Sequence, residues 1–112
     1  MKRSDESAGH RHARLEELIL EELRGLFRDD VSDPALGSVR ITGLVLSVDY
    51  RNARVHYALA QPSADAVRLR VVESRLAHAI PFLRRCLGDA LDLKRVPELR
   101  FIFDGVAPPE GP

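Results

Sequence analysis

One long segment in the second half of the chain carries an unbroken helical pattern with a proline in its middle. Apolar side chains recur every three or four positions between residues 64 and 91, and Pro81 lies inside the string RLAHAIPFLRRCL at residues 75–87. The spacing predicts helix, whereas a proline in a helix interior removes one backbone hydrogen bond and costs about 3 kcal/mol. The stripe consists of Leu69, Val72, Leu76, Ala79, Leu83, Leu87 and Leu91.

Two interpretations of this proline remain open. Pro81 suits the first position of a second helix, because its φ is already helical and its missing N–H would be unpaired there anyway. The segment then forms two helices that bend at Pro81 and cover one sheet. Alternatively, the segment is a single helix that is kinked at the proline.

The start of the chain predicts another amphipathic helix. Residues 11–27 place leucines, an isoleucine and a phenylalanine on one face and mostly charged side chains on the other. This helix should end near Asp30, because Pro34 disfavours helical φ and ψ at Asp33 and Gly37 marks a turn. Residues 1–10 lack apolar periodicity, which predicts a flexible arm.

Three strands complete the pattern. Apolar residues alternate from Val39, and their parity changes at Gly43, which predicts a β-bulge there and places Val48 on the buried face of the same strand. The link to the next strand is short and polar, so we expect an antiparallel hairpin. Residues 96–104 predict a third strand, in which alternate side chains share a face. The order helix, strand, strand, helix, helix, strand favours an α+β fold with the helices on one face of a three-stranded mixed sheet.

Length and composition limit the class of protein. With 112 residues, the chain has room for one core, which we place at residues 11–104, followed by a disordered tail at 105–112. The sequence contains neither an apolar run near the length of a membrane span nor a signal peptide. Its single cysteine, Cys86, fits a reducing, cytoplasmic location. We expect no cofactor, no metal and no small-molecule substrate.

The charge is balanced overall but unevenly distributed. Residues 1–37 carry a net charge of −3, residues 38–100 carry +5, and residues 101–112 carry −2. A basic middle segment is compatible with a phosphate-rich partner. The alternative is an arginine-rich face that is simply solvated.

The ordered chain resembles the ribosome-binding factor A family in three strings. RHAR opens the first helix, SDPALGSVRITGLVLSVDYRNARVHY spans the hairpin, and AIPFLRRCLGDALDLKRVPELRFIFD closes the domain. The order and spacing of the three strings over residues 11–104 carry the resemblance. The resemblance implies a KH-like fold of type II and a non-enzymatic assembly factor that binds the small ribosomal subunit and its rRNA during late maturation. We expect the free protein to be a monomer.

The resemblance also implies a bend at Ala79, Ile80 and Pro81, where the family has an Ala-x-Gly motif between two helices. Pro81 departs from the usual glycine, which casts doubt on any role that needs close approach of an RNA backbone. Ser32 and Ala35 depart from positions where the family often has basic residues.

Candidate RNA-binding residues follow from the basic positions around the bend, after the second helical segment and on the first helix. A phosphate at the N-terminus of a helix beginning at Pro81 would also gain from the helix dipole. The resemblance supports Ala79, Arg84 and Lys94, Pro81 is included as the residue of the bend, and the others rest on their position and charge. The candidate set is Arg11, Arg14, Arg75, His78, Ala79, Pro81, Arg84, Arg85, Lys94 and Arg95.

Two other classes of function remain possible. The chain could be a protein–protein interaction module that uses the acidic side of its first helix, for example Glu17 and Glu21. It could also be an enzyme, for which Asp49, His56 and Cys86 are the nearest approach to a catalytic set, although they lie on different predicted elements. We expect His56 to lie at the surface, Cys86 to fill space beside the core, and Glu98 either to pair with a neighbouring arginine or to cap a turn.

Overall fold

The computed structural model describes residues 3–60 and 66–106. Two long helices and three strands account for most of them, and a short 3-10 turn precedes the first strand. The elements are α1 (Arg3–Asp29), the 3-10 turn (Pro34–Leu36), β1 (Val39–Leu46), β2 (Asn52–Leu59), α2 (Ala66–Leu91) and β3 (Glu98–Val106).

The strands form one mixed sheet in the order β1-β2-β3. β1 and β2 are antiparallel, whereas β2 and β3 are parallel. A parallel pair needs a long crossover connection, and α2 supplies it. Both helices bury their apolar faces in the same core as the sheet. The predicted α+β class, with helices on one face of a three-stranded mixed sheet, is confirmed.

The core lies between the two helices and the covered face of the sheet. Its buried members come from every major element and are mostly aliphatic. Tyr57, on the central strand, is only 1% exposed, and its ring contacts those of Phe101 and Phe103 edge-on or tilted. The largest fully buried side chains of the helices are Ile19, Leu23, Val72, Leu76, Leu83 and Leu87.

The bulge predicted at Gly43 is confirmed. The register between β1 and β2 shifts between Ile41 and Gly43, so that Ile41 and Leu44 are both buried although they are an odd number of residues apart. The prediction for Val48 is wrong, because β1 ends at Leu46 and Val48 lies in the following turn, 90% exposed. Alternation in the sequence could not show where the strand stops.

Both predicted ends of the domain also need correction. α1 begins at Arg3, inside the segment predicted as an arm. Once a helix is nucleated, extending it costs little, because each added residue gains a hydrogen bond. β3 continues to Val106, two residues into the predicted tail, with Gly105 at a φ of 103° beside a shift in the register with β2. The rest of the tail lies outside the described residues.

The prediction of two helices that meet at Pro81 is wrong as well. α2 runs from Ala66 to Leu91 with Pro81 inside it, which agrees with the alternative of one helix. Pro81 and Ala77 are both exposed, so the carbonyl of Ala77 that loses its usual partner lies on the solvent side of the helix. Water can satisfy such a carbonyl, and this lowers the cost of the proline.

Side chains of α1 occupy the outer edge of β1. The backbone N–H of Leu46 donates to Glu16 at 2.8 Å, and His12 Nε2 lies 2.8 Å from the carbonyl oxygen of Leu46. Farther along, the guanidinium of Arg24 donates from two nitrogens to the carbonyl oxygen of Ile41 at 3.0 and 3.1 Å. Unpaired strand edges tend to associate with other chains. These contacts therefore protect one edge of the sheet.

Candidate nucleic-acid interface

The side of α2 that points away from the core includes three of the predicted RNA-binding residues. His78, Pro81 and Arg85 are exposed, and helical spacing places them opposite the buried stripe. We call this surface the α2 outer face. In the described part of the chain, Arg85 has no hydrogen-bond or ion-pair partner, although its charge partly offsets the rise in the pKa of the neighbouring Cys86 thiol. Its guanidinium is therefore available to an external anion.

Arg84 points elsewhere, although it is the next residue. Consecutive residues lie about 100° apart around a helix, and the guanidinium of Arg84 reaches the segment before β3. It donates to the carbonyl oxygen of Val96 at 2.7 Å and to that of Pro97 at 3.1 Å. The Glu98 carboxylate lies 3.6 Å from the same guanidinium, as predicted for Glu98. The guanidinium of Arg84 is thus engaged mainly in contacts within the protein.

Arg75 is engaged on the opposite flank of α2. Its Nε lies 3.6 Å from a carboxylate oxygen of Asp33, just before the 3-10 turn. Arg75 and Arg84 are nine positions apart, or about 180° around a helix. The predicted cluster of both arginines around one junction is therefore wrong. The continuous helix also lacks the exposed N–H groups at Pro81 that the predicted phosphate site required.

The loop between α2 and β3 presents two further candidates. Lys94 and Arg95 are both exposed. On one side of them, the backbone N–H of Leu93 donates to the carbonyl oxygen of Gly88 at 3.0 Å. On the other side, Val96 packs so closely on Gly88 that an added Cβ would lie 3.1 Å from Val96 Cγ2. Arg84 binds the same segment, so it acts as a positioning residue for Lys94 and Arg95.

The remaining candidates are Arg11, Arg14 and Ala79. Arg11 and Arg14 are exposed on α1, on either side of the His12 that contacts the end of β1. Ala79 is partly buried against the core, so its side chain supports the helix packing.

Sequence reasoning did not select two other exposed arginines. Arg54 on β2 and Arg100 on β3 are direct neighbours in the parallel ladder. Alternation within each strand shows that they point away from the core, because Val55 and Leu99 are buried beside them. The sequence carries no direct signal for the register that brings them together.

Two of the three residues of the enzyme alternative have structural partners, and the third has a raised pKa. Asp49 accepts hydrogen bonds from the Ser47 hydroxyl and the backbone N–H of Arg51, and these hold the pKa of its carboxyl below the usual value. His56 lies 3.1 Å from Asp104. Burial and nearby carboxylates raise the pKa of the Cys86 thiol, which disfavours a nucleophilic thiolate.

A metal centre and a membrane span are equally unsupported over residues 3–60 and 66–106. No group of three His, Cys, Asp or Glu side chains in these ranges is placed to hold a metal ion. Neither helix described there combines the length and the hydrophobicity needed to cross a bilayer.

A model of the family described as ribosome-binding factor A matches residues 11–108. The chain belongs to the ribosome-binding factor A family. It is 40% identical to the ribosome-binding factor A of Heliobacterium modesticaldum over 97 residues, which cover 87% of this chain and 78% of that protein. The resemblance in the sequence strings is therefore confirmed.

Solved structures of the family share the fold. The crystal structure of ribosome-binding factor A from Thermus thermophilus aligns with a TM-score of 0.58 and 22% identity, covering 84% of this chain and 92% of that one. A homology model of the Thermus factor, fitted into a cryo-EM map of a 30S–RbfA complex, aligns with a TM-score of 0.55 and 24% identity. It covers 83% of this chain and 90% of that one. These structural alignments confirm the predicted KH-like fold.

Proposed function

We propose that this protein binds the free small ribosomal subunit and its rRNA in the cytoplasm and assists late maturation of the subunit without catalysing a reaction. Membership of the ribosome-binding factor A family over residues 11–108 is the observation that carries this proposal. The Thermus relative has been fitted into a map of its complex with the 30S subunit. The net charge of +5 over residues 38–100 suits a phosphate-rich partner.

The α2 outer face is the proposed first contact with rRNA. Arg85 would form charge-assisted hydrogen bonds with backbone phosphate. Lys94 and Arg95 would add positive charge from the loop that Arg84 anchors. Since phosphate contacts carry no sequence information by themselves, recognition on this surface would depend on the shape and charge of the folded RNA.

A cosedimentation experiment tests this proposal. Purified protein is centrifuged with 30S subunits at increasing KCl concentrations, and its equilibrium constant is obtained at each salt. We expect binding that weakens steeply with salt. The variant Arg85→Glu should bind several-fold more weakly and lose about one phosphate contact, or roughly 0.9 units from the slope of log K against log salt.

Arg28→Glu is the matched control, because Arg28 is exposed, lies on α1 and already pairs with Asp29. It changes the net charge equally and should leave the slope unchanged. Failure of the wild type to bind 30S subunits would overturn the proposal. If Glu17→Lys and Glu21→Lys abolish binding while Arg85→Glu does not, a protein-binding role of α1 is supported instead.

The maturation step needs a separate test in cells. Depletion of the protein should cause precursor forms of the small-subunit rRNA to accumulate in free 30S particles, measured by mapping the rRNA ends in gradient fractions. Normal rRNA ends in depleted cells would contradict a role in late maturation.

A further inference from the structure

The face of the sheet opposite the helices carries a pair of arginines that the fold leaves unpaired. Arg54 and Arg100 occupy paired positions on β2 and β3, where neighbouring strands lie about 4.8 Å apart. Both are exposed. Over the described ranges 3–60 and 66–106, neither guanidinium has a hydrogen-bond or ion-pair partner. Like charges in directly paired positions destabilise a sheet.

Two acidic side chains of β3, the strand that carries Arg100, contact other groups. Glu98, two positions before Arg100, lies 3.6 Å from the guanidinium of Arg84. Asp104, farther along β3, accepts hydrogen bonds from His56 at 3.1 Å and from the Thr42 hydroxyl at 3.0 Å. Neither of these two carboxylates forms an ion pair with Arg54 or Arg100.

The two arginines line a shallow groove of about 360 Å³ together with Glu98 and with polar and small apolar side chains. Val45 is paired with Arg54 from the other side, so Val45, Arg54 and Arg100 form a row across all three strands. Val45 is 43% exposed and offers an apolar contact. The side-chain amide of Asn52 supplies a hydrogen-bonding group in the same groove, whereas the Ser47 hydroxyl that also lines it already donates to Asp49. We call this the Arg54–Arg100 groove.

We propose that the Arg54–Arg100 groove binds the phosphodiester backbone of RNA, as a second contact in addition to the α2 outer face. Guanidinium groups match the paired oxygens of a phosphate bidentately. A phosphate placed between the two arginines would also remove their mutual repulsion. This inference rests on the proposed function, because it takes the rRNA of the small subunit as the physiological ligand.

RNA fits this groove better than an acidic protein segment does. A protein interface has its binding energy concentrated in buried aromatic and apolar anchors, whereas the row across the strands offers Val45 as its apolar member and is otherwise cationic. The surrounding segment, residues 38–100, has the positive net charge that a polyphosphate requires.

The test uses the full chain and a labelled single-stranded RNA of twelve nucleotides, followed by fluorescence anisotropy at increasing KCl. Removing two phosphate contacts from a single strand lowers the salt slope by about 1.4. We therefore expect the double variant Arg54→Gln, Arg100→Gln to show that decrease and at least a ten-fold loss of affinity at low salt. The double variant Arg54→Lys, Arg100→Lys keeps both charges and should retain the slope.

Arg28→Gln is the matched control, because Arg28 is exposed on α1, outside both proposed contact surfaces, and already pairs with Asp29. It should leave the slope unchanged. An unaltered slope in the Arg54 and Arg100 glutamine variant would overturn the inference. Polyglutamate serves as a probe for an acidic protein segment. The inference would also be overturned if the glutamine variant lost binding to polyglutamate but kept its binding to RNA. The midpoint of thermal unfolding of the glutamine variant should be equal to or above that of the wild type. A lower midpoint would mean that the two arginines have stabilising partners, which contradicts their unpaired state.

The same variants separate this inference from the proposed function. If the wild type fails to bind 30S subunits, the proposed function is wrong. Suppose instead that the wild type binds 30S subunits and the glutamine variant binds both 30S subunits and the oligonucleotide as tightly as the wild type does. In that case only the proposal for the Arg54–Arg100 groove is wrong.

Discussion

The flanks of α2 and the outer face of the sheet are both rich in arginine, but the fold uses those arginines differently. Arg75 and Arg84 extend to opposite sides of α2 and bind Asp33 and the segment before β3. Arg54 and Arg100 lie side by side on paired strands without a partner in the described chain. The difference shows that a basic residue in a sequence is a candidate for binding only after its internal contacts are known.

The largest effect should come from removing the core that supports both surfaces. Leu83 is fully buried beneath α2, so Leu83→Ala should lower the free energy of unfolding by about 2–5 kcal/mol. Urea denaturation measures this change, and Val48→Ala, at a position 90% exposed, should stay within about 0.5 kcal/mol of the wild type. A small effect at Leu83 would contradict the common core.

The neighbouring Arg84 and Arg85 sharpen the comparison between engaged and free arginines. Arg84→Ala removes charged hydrogen bonds to two backbone carbonyls and should cost about 1.5–3 kcal/mol of unfolding free energy. Arg85→Ala should change stability by no more than about 0.5 kcal/mol. Equal losses in urea denaturation would contradict the structural role of Arg84.

Pro81 offers a test of the continuous helix that carries the α2 outer face. In one helix, Pro81→Ala restores a backbone hydrogen bond and should raise the free energy of unfolding by about 1–3 kcal/mol. If Pro81 began a second helix, the same change would be neutral or destabilising, because proline is favourable at that position. Thermal and urea unfolding of the two proteins distinguish these cases.

The smallest effect concerns Asp104 on the outer face of the sheet. Its hydrogen bonds from His56 and Thr42 lower the pKa of its carboxyl from the usual value of 3.8. The stabilisation is therefore complete above pH 3.8 and is lost as the pH falls through the lower folded pKa. Asp104→Asn should be less stable than the wild type at about pH 6, and the difference should shrink below the usual pKa in a series of urea denaturations. A difference that is constant with pH would contradict this linkage.

Local sequence patterns were sufficient to predict the type of secondary structure near the site. They predicted less well where each helix or strand ends. The change of parity at Gly43 predicted the bulge correctly, because alternation depends only on neighbouring residues. Val48 was placed wrongly, since the end of β1 depends on how the turn to β2 closes. The apolar stripe around Pro81 was compatible with one helix or two, and its spacing alone could not distinguish them.

The sequence by itself determined the amphipathic faces, the α+β class, the family and the basic character of residues 38–100. These follow from periodicity, motif order and composition, which are properties of residues close together in the chain. The tertiary structure decided which arginines are engaged and which are free. Arg84 and Arg100 find or lack partners through strand register and loop packing, and those contacts join residues that the sequence keeps far apart.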